Sequence, residues 1–128
     1  MERVTAALEP FAPRHTALLS TRRRDGSEAA SPVSVVVDGD HAYFRTWSTA
    51  WKAKRMRRDS EVRIAPSTLR GRPTGPRIDG RVRLLDGDDE RRARDLLGRR
   101  YRLLHGLLVP AYHRMRGLRT QHYELVPR

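Results

Sequence analysis

The chain has 128 residues, with 27 lysines and arginines against 15 aspartates and glutamates, for a formal charge of +12. That length suits one domain, residues 1–128, with a single core large enough to need no staples. The absence of cysteine excludes disulfides, thiolate metal sites and cysteine nucleophiles, while the lack of any run of ~18 apolar residues or a signal-like leader makes a soluble cytoplasmic protein the expectation.

Thr16–Thr21 reads as a first strand running into Asp25-Gly26, a dipeptide that signals a hairpin between apolar runs. Ala29–Asp38 follows, and its β-branched run Val33-Ser34-Val35-Val36-Val37 suits a buried strand. Asp38-Gly39-Asp40 makes a second turn, and His41–Trp47 alternates as a third strand. A short helix is predicted from Thr49 to about Arg58, with Ser48 or Thr49 as its N-cap. Ala50, Ala53 and Met56 give it a narrow core-facing edge, and its other faces are cationic. Glu61–Thr68 reads as a fourth strand, Leu69–Pro76 as a Gly- and Pro-rich loop, and Arg77–Asp86 as a fifth strand.

Asp88-Asp89-Glu90 opens a second helix, where acids favour the dipole, and Leu97, Tyr101, Leu104 and Leu108 recur at helical spacing. Pro110 ends or kinks it, a shorter helix runs to Met115, and Thr120–Val126 forms the last strand. Nothing has βαβ spacing. About six antiparallel strands with little helix predict a mainly β barrel, since closure removes exposed edges.

The charge is not evenly spread. Between Arg45 and Arg77 ten basic residues meet two acids, which supplies +8 of the +12. Between Ile78 and Gly98 six acids nearly cancel five arginines. A cationic band of this kind implies an anionic partner.

The densest chemistry lies in Phe44-Arg45-Thr46-Trp47-Ser48-Thr49-Ala50-Trp51-Lys52-Ala53-Lys54-Arg55, where a strand ends in hydroxyl residues and enters a lysine-bearing helix. Free backbone N–H groups at that helix start favour an anion, and Thr46, Ser48 and Thr49 add hydroxyls. Lys52 follows Ser48 by one helical turn, so its ammonium can reach a phosphate held at the cap. The same residues also describe a plain capped surface helix with solvated cations.

The stretch from Ser31 to Val62, with this segment at its centre, resembles the pyridoxamine-phosphate-oxidase-like split-barrel flavoproteins, most of all their F420-dependent branch. The resemblance covers roughly residues 14–86 and, more weakly, the final helix and strand. It implies a six-stranded antiparallel split β-barrel of the FMN-binding type. It further implies that Ser31-Pro32-Val33-Ser34 presents backbone to a cofactor ring. Arg45-Thr46, standing for the family's Tyr-Thr-like pair, then leads into a helix whose Lys52 binds the cofactor phosphate. Asp59-Ser60 stands where the family has Asn-Pro or Asp-Pro, and Ala50 where it often has serine. Arg45 in place of an aromatic favours a more anionic ligand, and F420 carries tail carboxylates that FMN lacks.

The cofactor-binding set expected on this basis is Ser31, Pro32, Val33, Ser34, Arg45, Thr46, Trp47, Ser48, Lys52, Lys54, Thr68, Arg70 and Gly71. The last three lie in Thr68-Leu69-Arg70-Gly71-Arg72, where glycine permits close backbone approach and arginine pairs with phosphate or carboxylate. The resemblance also implies a homodimer with the cofactor between subunits, and pairing would cover strand edges left open by one small barrel.

Protein-supplied chemistry is absent from the pattern. His15, His41, His105, His113 and His122 show no metal-helix spacing. No nucleophile elbow and no Walker or Rossmann phosphate loop is present. That silence suits an enzyme whose cofactor does the chemistry. Trp47 and Trp51 could flank a flat ring, and the apolar stretch from Leu103 to Tyr112 suits a pocket wall or a core helix with a dimer contact.

The expected function is an F420H2-dependent reductase that passes a hydride to an electron-poor small molecule. The alternatives within the fold are an FMN oxidoreductase or an enzyme acting on a tetrapyrrole, biliverdin or heme. A basic nucleic-acid-binding barrel is the reading from another class. The low aromatic content, 6%, and its separation from the basic band argue against it.

Overall fold

The alternation read from the sequence closes into a barrel. The computed structural model describes residues 7–11, 16–105 and 120–127. Its strands are β1 (Thr16–Arg22), β2 (Glu28–Asp38), β3 (His41–Trp47), β4 (Glu61–Pro66), β5 (Ile78–Leu84) and β6 (Thr120–Pro127). Helix α1 (Trp51–Arg58) lies between β3 and β4, and α2 (Gly87–His105) between β5 and β6. A short 3-10 turn, Glu9–Phe11, precedes β1.

The barrel order is β1-β2-β3-β6-β5-β4, closed by β1 pairing with β4, and every pairing is antiparallel. Closure corrects one expectation. The six described strands leave no open edge, so edge covering gives no reason for two chains to pair.

Two turns carry the meander. The Arg23–Ser27 loop is held by Asp25, whose Oδ1 accepts from the Ser27 N–H at 2.9 Å and from its hydroxyl at 2.6 Å. Asp38 pairs with His41 across Gly39-Asp40, with Gly39 at φ +64°, a glycine placement that two-residue hairpins favour.

Inward residues form the main core. Ala17, Leu19, Val33, Val35, Ala42, Phe44, Val62, Ile64, Val82, Tyr123 and Leu125 fill the barrel. Met56 of α1 joins that cluster together with Leu8 and Phe11. Ala53 is buried too, as its spacing from Met56 predicts, whereas Ala50 is only half-buried and stands outside the helix. A second, smaller cluster seats α2 on the outer face of β2 and β3, through Val36, Tyr43, Leu85, Ala93 and Leu97.

Leu108, Pro110, the stretch to Met115, His15 and His113 lie outside the described residues. The apolar stretch 103–112 lies outside those whose side chains are described.

Gly80 marks where β5 packs most tightly on β6. A Cβ there would lie 2.9 Å from Leu125 Cδ1 and 3.2 Å from the Val126 carbonyl oxygen. Gly80→Ala is expected to lower the unfolding free energy by about 1–3 kcal/mol, the range for overpacking a filled core. Denaturant titration of the two proteins measures it, and an unchanged midpoint would show that the β5–β6 contact yields freely.

Candidate functional site

Helix α1 begins later than its sequence indicates. Its N-cap is Ala50, with no side-chain cap, so neither Ser48 nor Thr49 caps it. The physical reason is the tight turn before it, in which the Ala50 N–H donates to the Trp47 carbonyl at 3.0 Å. That turn uses Ser48 and Thr49 as linker and starts the helix at Trp51. Uncapped first-turn N–H groups therefore face outward at the start of a helix with no acid in its first turn.

Lys52 does not lie along its own helix toward Ser48. It crosses to β2, where its ammonium donates to Ser31 Oγ at 3.1 Å and to the Pro32 carbonyl at 3.3 Å. Both acceptors are neutral, and among the described residues no carboxylate lies within ion-pair distance of it. Burial holds the pKa of this ammonium below the ordinary lysine value. A charge taken partly out of water and met only by neutral oxygens is the arrangement that an incoming anion relieves.

Pro32 is also the floor for a second element. Gly71, at φ +86°, sits so close that a Cβ would meet Pro32 Cγ at 3.3 Å and Leu18 Cδ1 at 3.5 Å. The turn that carries Gly71 is tied by three hydrogen bonds. Thr68 N–H donates to the Arg72 carbonyl at 2.9 Å and Gly71 N–H to the Thr68 carbonyl at 2.9 Å. Arg72 N–H donates to Thr68 Oγ1 at 3.1 Å. The turn thus holds Leu69, Arg70 and Arg72 exposed beside the corner that Ser31, Pro32 and Lys52 make.

The remaining expected residues divide by strand face. Ser34 lies on the outer face of β2 in line with Pro32, and pairs with Arg45 on β3. Arg45 and Trp47 share β3's outer face with Tyr43, while Thr46 is buried on the inner face with Phe44. Val33 belongs to the barrel core. Ser48 is half-buried in the linker turn. Lys54 turns away from the corner and stands 4.5 Å over the Trp51 ring, which is itself 70% exposed.

The structure therefore joins Ser31, Pro32, Lys52 and the Thr68–Arg72 turn, and Ser34 and Arg45 continue the outer face to which the Pro32 side chain belongs. It assigns Val33 and Thr46 to the interior.

The cationic band is also divided. Arg63 pairs with Glu28 at 3.3 Å and with Asp79 at 3.1 Å, and Arg77 pairs with Glu28 at 3.7 Å. These belong to the outer β1–β4–β5 face, where a groove of about 520 Å³ is lined by Ser20, Arg22, Glu28, Glu61, Arg63 and Asp79. Its charges largely satisfy one another, and none of the expected cofactor residues lines it.

Sequence reasoning missed Leu18, which meets Gly71, and the pair of His122 and Glu90 beneath α2. Alternation in β6 puts His122 outward, but only the strand order brings Glu90 to it. Among the described residues no group of histidine, aspartate and glutamate side chains is placed to hold a metal ion. No described helix is long and apolar enough to cross a membrane.

A family described as pyridoxamine 5'-phosphate oxidase matches residues 4–121. The chain belongs to this family. No curated protein matches it.

Solved structures share the fold of this pyridoxamine 5'-phosphate oxidase family member. The heme storage protein HutZ from Vibrio cholerae is similar at TM-score 0.67 and 13% identity, over 98% of this chain and 90% of that one. A FAD-binding protein from Mesorhizobium loti is similar at 0.64 and 14%, over 96% and 88%. A conserved hypothetical protein from Mycobacterium tuberculosis gives 0.68 and 16%, over 96% and 79%. At such identities the likeness is one of fold.

The Lys52 geometry generates a stability prediction. A lysine whose folded-state pKa lies below its unfolded value disfavours folding while it is charged. Stability then rises as pH climbs from the folded-state pKa toward the ordinary lysine value. Lys52→Met keeps the packing stem and removes the charge, so without cofactor it should melt no lower than the wild type at neutral pH. Thermal melts decide it, and a fall of more than about 4 °C, roughly 1 kcal/mol, would mean that the ammonium is a net structural tie.

Proposed function

We propose that this protein binds a phosphate-bearing flavin or deazaflavin and uses its reduced form to reduce an electron-poor small molecule. The observation that carries this is the half-buried Lys52 ammonium, held by Ser31 Oγ and the Pro32 carbonyl and matched by no carboxylate among the described residues. These residues fit a cofactor phosphate. The cation has no anion to displace among the described residues, and the first turn of α1, which carries Lys52, has no side-chain cap on its N–H groups.

In this reading the cofactor, when bound, supplies the hydride chemistry. Lys52 would neutralise its phosphate, and the β2 backbone from Ser31 to Ser34 would face its ring. The Thr68–Arg72 turn limits access of water from one side. Family membership supports an oxidoreductase, and the FAD-binding neighbour supports a flavin.

F420 is the cofactor favoured over FMN. The support is the number of cations at the corner that no described carboxylate pairs, Lys52 itself with Arg70 and Arg72 on the turn beside it. One phosphate needs fewer. A heme-related role within the same fold draws support from HutZ, and a hemin titration followed by absorbance separates it from the flavin reading. A homodimer is also proposed. Trp51 and Leu69, 70% and 71% exposed, flank the corner and would be covered by a second copy. Light scattering should return about twice the chain mass of 14.8 kDa, and a monomer at micromolar concentration would count against a shared cleft.

Titration calorimetry with FMN and with F420 tests the binding. F420 should bind more tightly, and Lys52→Ala should weaken either by about 1.5–3 kcal/mol, the range for a hydrogen bond to a charged group. Lys54→Ala should cost less, because its ammonium is turned over Trp51. Equal small losses from both would indicate diffuse charge, and a steep fall of binding with salt would then favour a polyanion such as nucleic acid.

A further inference from the structure

The outer face of β2 runs from the Lys52 corner toward α2 through Pro32, Ser34 and Val36. At Ser34 it meets a row that crosses the sheet. Ser34 pairs with Arg45 on β3, and Arg45 pairs with His122 on β6. Two cations, Lys52 and Arg45, thus bracket one short piece of β2, and a titratable ring ends the row.

That ring is in an unusual position. The His122 side chain is 3% exposed, with Nδ1 3.0 Å from Glu90 Oε1 in the first turn of α2. The carboxylate is out of line for a hydrogen bond, and neither ring nitrogen has a hydrogen-bond partner among the described residues.

The charges that face it can be named element by element. From α2 come Glu90, which favours a proton on the ring, and Arg94, which opposes it. From β3 comes Arg45, which also opposes it. Beside β5, Leu85 offers only its backbone N–H, given to the His122 carbonyl at 2.9 Å. On the same strand, the Glu124 carboxylate is already taken by His41 and Arg83. Burial is the largest effect, and it holds the imidazole pKa below the ordinary histidine value. Neutral His122 therefore stands one proton short of an ion pair with Glu90, whose other oxygen lies 3.5 Å from Arg94, and the positive charge of the row weighs against that proton.

We propose that anion binding at the Ser31–Pro32–Lys52 corner draws a proton from solvent onto His122, which then pairs with Glu90. This rests on the cofactor reading above and adds a regulation to it. The physical link is the field. Two strand spacings of ~4.8 Å and two residues of ~3.3 Å along β2 put His122 about 12 Å from Pro32, with Arg45 between them. That exceeds the Debye length of ~8 Å at physiological salt, so the coupling depends on the partial burial of Lys52 and the burial of His122, since buried charges are screened less. An anion at the corner offsets Lys52 and Arg45, so the ring binds its proton more readily. The proton adds to the unprotonated ring nitrogen and no other bond changes. The imidazolium N–H is then available to donate to the Glu90 carboxylate, drawing the first turn of α2 onto β6. Linkage is reciprocal, so mild acid must tighten cofactor binding by the same factor.

The test is calorimetry of the full chain with FMN at pH 6, run in two buffers of different ionisation enthalpy. FMN's own phosphate titrates near this pH, so the readout is the difference between wild type and His122→Gln. Wild type should take up more protons per FMN than the variant, up to about 0.2 for a midpoint shift of about 0.3 units, and the difference should vanish at pH 8. Glu90→Gln should also reduce the uptake, because it removes the group that favours the proton. If His122→Gln folds poorly, proton NMR of the wild-type ring gives the same answer. Its titration midpoint should move up by more than about 0.3 units when FMN is added. FMN binding with identical proton counts, or with an unmoved midpoint, overturns the coupling and leaves the cofactor reading in place. No binding of FMN or F420 overturns both.

Discussion

Strand β2 serves two partners, and that double duty sets the geometry of everything outside the barrel. Its first half pairs with β1 and its second half with β3, and Ser34 belongs to both registers. Once Ser34 is fixed, alternation decides the rest. Val33 and Val35 must point into the core, and Pro32, Ser34 and Val36 must point out. A slip of one residue would exchange the two sets. It would bury Pro32 and Ser34, and would strip α2 of the Val36 contact it packs on.

The corner where Lys52 meets β2 sets stability against binding. Ser31 Oγ and the Pro32 carbonyl offer Lys52 two neutral hydrogen bonds, which only partly replace the water its ammonium loses. A nearby carboxylate would have improved the folded chain and closed the site to anions. The chain does contain such pairs elsewhere, and Arg83 with Glu124 at 2.6 Å is one. Among the described residues Lys52 has no such pair, which is what the proposed anion site requires. The Gly71 turn follows the same logic, since its backbone can lie on Pro32 only because no Cβ intervenes.

Local patterns made much of this legible. β-branched alternation located the strands, Asp-Gly and Gly-Asp located the meander turns, and the three-residue spacing of Ala53 and Met56 gave the buried edge of α1. What depended on the path of the chain was not legible. Ser48 and Thr49 are good caps by residue type, yet the Trp47–Ala50 turn moved the helix start beyond them. Lys52 was expected to reach back along its helix and instead bridges to a strand about twenty residues earlier in the chain. Arg63 and Arg77 looked like part of one cationic band until strand pairing set them opposite Glu28 and Asp79. His122 met Glu90 only because β6 inserts between β3 and β5. Sequence separation hides contacts of that kind.

The two apolar clusters have no residue in common. One fills the barrel together with Met56, Leu8 and Phe11, and the other holds α2 through five side chains against the outside. Packing that is divided in this way divides cooperativity too. The described part of α2 can lift from β2 and β3 as a unit without opening the barrel ladder, so its amides should exchange with solvent through a cheaper, sub-global opening than those of β1 or β4. The outer helix is then a layer whose attachment can vary over a barrel that stays folded.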